Sequence, residues 1–183
     1  MRRIDTPIEG LFMVAPTRYE DHRGSFMESF RADRFALIAG SEVHFVQENE
    51  SRSRRNVVRG LHFQQAPYAQ AKLVRVSSGR VWDVAVDLRP ESATFGRWYG
   101  TELSAENGLQ LFIPAGFAHG FVALSEEAVL QYKCDNYYHP ESEGGIRWDD
   151  PSIAIAWPVA CDEAILSERD EKHPSWNEWL EQR

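Results

Sequence analysis

An all-β fold, a sandwich or barrel with short helices at its two ends, is what this amino-acid sequence predicts. Two observations carry that expectation. Between residues 43 and 134, short runs alternate apolar and polar side chains with a period of two, and turn-forming residues interrupt them at roughly every 8 to 12 positions. No apolar spacing of the helical kind runs through the same block.

Taken in chain order, residues 31–39 place Phe35, Ile38 and Ala39 ahead of Gly40, a suitable C-terminal cap, so a short helix is expected there. Strands follow at 43–50 and 57–64. The runs 71–77 and 80–88 form a hairpin around Ser78-Gly79. The second of these is the clearest strand of the chain: Trp82, Val84, Val86 and Leu88 share one face, and Val81, Asp83, Ala85 and Asp87 the other. Further strands are expected at 97–103, 109–113, 119–124 and 128–135. After Trp157-Pro158 the alternation ends. Ser167 followed by Asp170 resembles a capping pair opening a short helix, which Pro174 would stop. No linker, repeat or low-complexity stretch divides the chain, so 1–183 is expected to be a single domain with a helical tail.

Composition narrows the function classes. With 43% apolar and 26% charged residues, 183 residues suffice for a core of their own. A net charge of −8 argues against a general nucleic-acid binder, which would neutralise phosphates with lysine and arginine. It leaves room for a small anion, because a few cations converging in one cleft govern the local field. The run Arg52, Arg54, Arg55 reads as a solvated turn. The opening Met1 to Gly10 has no apolar stretch of the signal-peptide kind, and no run approaches the roughly 20 apolar residues of a membrane helix. Only Cys134 and Cys161 are present, too few for a disulfide framework, and the expected compartment is a reducing cytoplasm.

Two histidines sit inside strand-like apolar segments, His62 in Gly60-Leu61-His62-Phe63-Gln64 and His119 in Pro114-Ala115-Gly116-Phe117-Ala118-His119. Either could be a hydrogen-bonded core histidine. The Pro-x-Gly-x-x-His spacing resembles the second metal motif of cupins, which raises a metal-centred oxidase or isomerase. Such a centre needs three or more ligands, and Gln64 stands where the first motif would place another histidine, so no metal is expected.

Without a metal, the remaining polar residues suit proton chemistry. His62 can act as a base near neutral pH. Lys72 shares a strand face with Val74 and Val76, an awkward place for an ammonium unless it stabilises a developing enolate oxygen. Tyr132 alternates with Leu130 and Cys134, which turns its hydroxyl inward. Base, cation and phenolic acid are the parts needed to remove a proton beside a ketone and return one. One conflict stands out. Strict alternation puts Arg59 and His62 on opposite faces, and only a bulge at Gly60 would bring both to one cleft.

These residues belong to a longer pattern that resembles the dTDP-4-dehydrorhamnose 3,5-epimerases and extends from about Asp5 to Pro174. The matching segments include Asp21-His22-Arg23-Gly24 with Glu28, Phe45-Val46-Gln47-Glu48-Asn49, Val58 to Gln64 and Gln70 to Val74. They continue through Thr94-Phe95-Gly96, Leu103 to Asn107, Ile113 to Phe121, Tyr132-Lys133 and Asn136-Tyr137-Tyr138. The resemblance implies a cupin-type β-sandwich, or jelly roll, that forms a homodimer and needs no cofactor. Its substrate would be a dTDP-4-keto-6-deoxyhexose, inverted at carbons 3 and 5; a relative inverting only one of those carbons is the alternative.

By the same resemblance His62 would be the general base with Asp170 fixing its tautomer, Tyr132 the general acid and Lys72 the enolate stabiliser. His119 would hold the sugar or the base. Arg23, Arg59 and Arg169 would meet the diphosphate, Tyr138 would stack on thymine, and Glu28, Gln47, Glu48, Asn49 and Glu143 would line the ligand. Arg23 and Glu28 would reach the neighbouring subunit's site. The family commonly has aspartate where Glu48 stands and often lysine where Arg169 stands, so charge is kept while contact geometry differs.

Overall fold

The computed structural model describes residues 1–183. In chain order its strands begin with β1 (Arg2–Asp5), β2 (Phe12–Ala15), β3 (Arg18–Asp21) and β4 (Gly24–Met27), followed by helix α1 (Ala32–Ala39). The central block holds β5 (Gln47–Arg54), β6 (Val58–Gln64), β7 (Lys72–Ser78), β8 (Arg80–Asp87), β9 (Trp98–Ser104), β10 (Gln110–Ile113), β11 (Phe117–Ala123) and β12 (Glu127–Cys134). A short β13 (Glu143–Gly145) and helix α2 (Trp176–Glu181) complete it.

The strands form two facing sheets, six-stranded in the order β1-β2-β10-β7-β12-β5 and five-stranded in the order β13-β6-β11-β8-β9, with β3 and β4 standing apart as a hairpin. This is the expected sandwich. Between the sheets pack Val74, Val76, Leu111, Ile113 and Leu130 from one and Val81, Ala85, Leu103, Phe117 and Phe121 from the other. Period-two alternation therefore places Lys72 and Tyr132 of the six-stranded sheet on the same inner face as this core. On the outer side of the five-stranded sheet, Leu61, Phe63, Val84 and Val86 are covered by Trp179 of α2. On the outer side of the other sheet, Phe12, Leu73 and Phe112 are covered by Phe35 of α1. Both faces of β8 are consequently apolar, apart from the aspartates on the inner one.

Two expectations are corrected, and five short strands are added. The strand expected at 43–50 is β5, four residues later. Its sequence, Gln-Glu-Asn-Glu-Ser-Arg-Ser-Arg, offers no apolar alternation, because its inner face borders a polar cleft rather than core. Strands β1 to β4 and β13 went unread for want of length. The helix expected to open at Ser167 and stop at Pro174 is one 3-10 turn at Asp170–Lys172. Ser167 Oγ does accept from Asp170 N at 3.2 Å, but the Asp170 carboxylate turns away to an imidazole instead of completing a capping box. The true tail helix, α2, starts after Pro174, where Ser175 and Glu178 form the reciprocal capping box.

Candidate active site

Two rows of side chains face each other across the sandwich. On the five-stranded sheet His62 of β6 stands opposite His119 of the neighbouring β11, with Asp83 of β8 beyond. On the six-stranded sheet Lys72 of β7 pairs with Cys134 of β12, and Tyr132 of β12 pairs with Asn49 of β5. His62, His119, Lys72 and Tyr132 line one cavity of about 190 Å³.

Gly60 is what lets His62 share that cavity with Arg59. In the β6–β11 ladder His62 opposes His119 and Arg59 opposes Phe121, so Gly60 and Leu61 together face Gly120 alone. The extra residue restores Arg59 and His62 to one side, and both line the cavity. Gly60 sits at φ +129, and a Cβ there would lie 2.5 Å from Gly120 Cα, so no other residue fits without displacing β11. The bulge that Gly60 permits, left open by the sequence, is present.

His62 Nε2 lies 2.7 Å from Asp170 Oδ1. Asp170 is only 3% exposed. Burial raises its carboxyl, but His173 and His62 beside it outweigh that and hold it below the usual carboxylate range. An ionised carboxylate only accepts, so the Nε2 proton belongs to His62 and its Nδ1 keeps a free lone pair. With that proton in place, the 3.3 Å approach of Arg169 Nη2 to Nε2 brings charge near rather than a hydrogen bond. Burial lowers the His62 pKa, Asp170 pulls it back up, and Arg169 and His173 lower it again. The result is an imidazole that is neutral at neutral pH.

On the opposite wall burial depresses the Lys72 ammonium, which has no ion pair within the chain, with the Asp83 and Glu143 carboxylates partly compensating. Lys72 Nζ stands 5.5 Å from the centre of the Tyr132 ring. Burial raises the Tyr132 phenol, so it stays protonated, while Asn49 draws it partly back. Burial also pushes the Cys134 thiol up to about 11, which keeps it neutral beside Lys72.

At the rim, Glu143 gathers Arg169 and Tyr138: Arg169 Nη1 donates to both carboxylate oxygens at 2.9 and 2.8 Å, and the Tyr138 hydroxyl donates at 2.8 Å. Gln47 Oε1 accepts from Tyr138 N, and Gln47 Nε2 donates to Asn49. Arg59 is steadied by Ser53 Oγ and the Arg52 carbonyl.

Three expected site residues lie elsewhere in the single chain. Arg23 pairs with Asp21 at the tip of the β3–β4 hairpin. Glu28 pairs with Arg31 and Arg34. Glu48 points to the other face of β5, where Lys133 Nζ meets it at 2.9 Å, because side chains alternate and Gln47 and Asn49 take the inner face.

Asp83 was missed, because the alternation of β8 separates its two faces without showing that the one carrying Asp83 turns inward. Its two oxygens lie 3.0 and 2.9 Å from His119 Nε2, so His119 donates and is fixed in one tautomer. Gln64 donates to the carbonyls of Tyr68 and Tyr137 and accepts from His139 N, so its amide is committed to loop backbone.

The family described as dTDP-4-dehydrorhamnose 3,5-epimerase matches residues 5–178. A dTDP-4-dehydrorhamnose 3,5-epimerase of Escherichia coli is 55% identical over 172 residues, 94% of this chain and 92% of that one. The crystal structure of such an enzyme from Elizabethkingia anophelis superposes with a TM-score of 0.93 at 50% identity, over 97% of both chains. A dTDP-6-deoxy-D-glucose-3,5-epimerase of Legionella pneumophila, solved in complex with dTDP-4-keto-L-rhamnose, superposes with a TM-score of 0.92 at 48% identity, covering 96% of this chain and 93% of that one.

Proposed function

The chain belongs to the dTDP-4-dehydrorhamnose 3,5-epimerase family, and we propose how its cleft performs that reaction. The enzyme is an isomerase that epimerises dTDP-4-dehydro-6-deoxy-D-glucose at carbons 3 and 5, giving dTDP-4-dehydro-L-rhamnose. His62 Nδ1 takes the proton from a carbon beside the 4-keto group, and Asp170 supports the imidazolium that forms. The charge passes to the ketone oxygen, where the Lys72 ammonium stabilises the enolate. Tyr132 then protonates the carbon from the other side. The observation that carries this reading is that His62 and Tyr132 come from facing sheets across one cavity. A base and an acid on opposite walls address opposite faces of a ring held between them.

The cavity is smaller than the roughly 300 Å³ of ordinary ligand pockets, so it encloses the reacting ring while the nucleotide lies along the rim. There Arg59 and Arg169 suit the diphosphate with forked donors, and Tyr138 supplies a face for the base. The hairpin supports a homodimer in which Arg23 and Glu28 complete the partner's site: Tyr19 and Phe26 on it are 64% and 71% exposed, an arrangement that favours a second surface. Both cysteines are free, which suits a reducing compartment, and no helix is long and apolar enough to cross a membrane.

Proton NMR of dTDP-4-keto-6-deoxyglucose in heavy water tests the reading. Deuterium must enter at carbons 3 and 5 during conversion; entry at one carbon alone would assign a mono-epimerase.

A further inference from the structure

Behind the cleft, His173 is the one imidazole of the Asp170 cluster that the proposed reaction leaves unused. Its ring lies edge-on to His62, with centroids 5.3 Å apart at 75°. His173 Nε2 is buried without a hydrogen-bond partner, although Asp170 Oδ1 is 3.4 Å away, off the line a bond would need. The ring occupies the space a side chain at residue 145 would take: a Cβ on Gly145 would lie 2.1 Å from His173 Cε1. One donor atom each of His62, Asp170 and His173 lies within 4.8 Å of the other two.

We propose that these three side chains form an inhibitory site for a borderline divalent cation of the zinc class. Two imidazole nitrogens and a carboxylate oxygen are the donors such an ion prefers. Tetrahedral bonds of about 2.0–2.1 Å place ligand atoms roughly 3.3 Å apart. The separations present, 2.7 Å from His62 to Asp170 and 3.4 Å from His173 to Asp170, bracket that spacing. A surface depression of about 390 Å³, adjoining the substrate cavity at Phe63, Glu143 and Arg169, reaches His173 past Gly145 and Pro174. Arg169 opposes the ion, but its side chain is 55% exposed, and releasing its pair with Glu143 lets it swing outward.

The consequence rests on the base assignment above. A cation on His62 Nε2 replaces the proton there, and the neutral imidazole then carries its proton on Nδ1. Nδ1 faces the substrate with no lone pair, so the base is blocked while the cavity itself stays open. Inhibition falls on turnover rather than on nucleotide binding.

The test titrates chelator-treated full-length enzyme with zinc chloride, measuring bound metal by calorimetry and turnover in parallel. One zinc per chain is expected at this site, with kcat lowered at least about tenfold, KM changed less than about threefold, and activity restored by EDTA. His173→Gln, read against its own metal-free turnover because His173 also acts on Asp170 and His62, should lose zinc affinity by about 10- to 100-fold together with the inhibition. Undiminished zinc inhibition in that variant overturns the site. On the wild-type chain, NMR makes the assignment without any substitution: zinc must move the imidazole resonances of His62 and His173 together, and a shift confined to His22, His44 or His139 overturns it. Zinc bound at the three residues with turnover unchanged overturns the inhibitory mechanism and the base role of His62 with it, whereas no binding there removes the site and leaves the base role standing.

Discussion

Asp170 Oδ1 lies 2.7 Å from His62 Nε2, although 108 positions separate the two residues in the chain. The contact orients the imidazole, and under the proposed mechanism it leaves Nδ1 for the substrate and sets the acid limb of the reaction. Burial holds His62 below its ordinary pKa of about 6.5, so the midpoint of that limb in kcat/KM is expected below this value.

In Asp170→Asn the supporting charge is gone, and burial then acts on His62 with less opposition. The acid limb should move to still lower pH while kcat drops by about 10²-fold or more, because a weaker base remains. The same carboxylate affects folding. Its folded pKa is below the unfolded value, so its stabilisation is full above about pH 4 and is lost as pH falls through the folded pKa. The Tm difference between wild type and Asp170→Asn should therefore persist from pH 8 to 5 and close on further acidification. A difference that widens in acid contradicts the sign.

Gly60→Ala tests the bulge. The added Cβ meets Gly120 Cα at 2.5 Å and the His119 carbonyl at 2.8 Å, on a backbone at φ +129. Urea unfolding should show a loss of about 2 to 4 kcal/mol. Deuterium exchange should fall further than dTDP affinity, because the displaced strand carries His119 and its partner strand carries His62. Near-native stability and exchange would show that the bulge tolerates a side chain.

Much of this site was legible because one alternation governs it. The pattern of 80–88 set Asp83 on one face with Val81 and Ala85 without saying which face turns inward, and the patterns around Lys72 and Tyr132 pointed those two side chains toward the interior. What escaped was pairing across distance: nothing local links Asp170 to His62, or Asp83 to His119. Polar strands escaped as well. Gln47–Arg54 has its inner face on the cleft, so function removed the apolar signal by which β5 would have been found at its true register. Pro174, read as a stop, instead precedes the capping box of α2.

The hairpin prediction concerns the second subunit. If Arg23 completes the partner's site, Arg23→Ala and His62→Asn homodimers should each be impaired. Unfolded, mixed and refolded together, they should recover about a quarter of wild-type turnover, because half of randomly paired dimers are mixed and each holds one intact site. Size-exclusion chromatography with light scattering checks that the mixture is dimeric. No recovery would place Arg23 with its own chain's His62.

Tyr132→Phe tests the division of labour between the two walls most directly. The ring still packs beside Leu130 and the variant should fold, which a melting curve checks. Under the proposed mechanism, what it lacks is the proton for the face opposite His62. In heavy water, NMR should then show deuterium entering unconverted dTDP-4-keto-6-deoxyglucose faster than the inverted product forms, whereas wild type couples the two. Epimerisation at the wild-type rate, with exchange and inversion still in step, would contradict the account, because the proton would then come from another group.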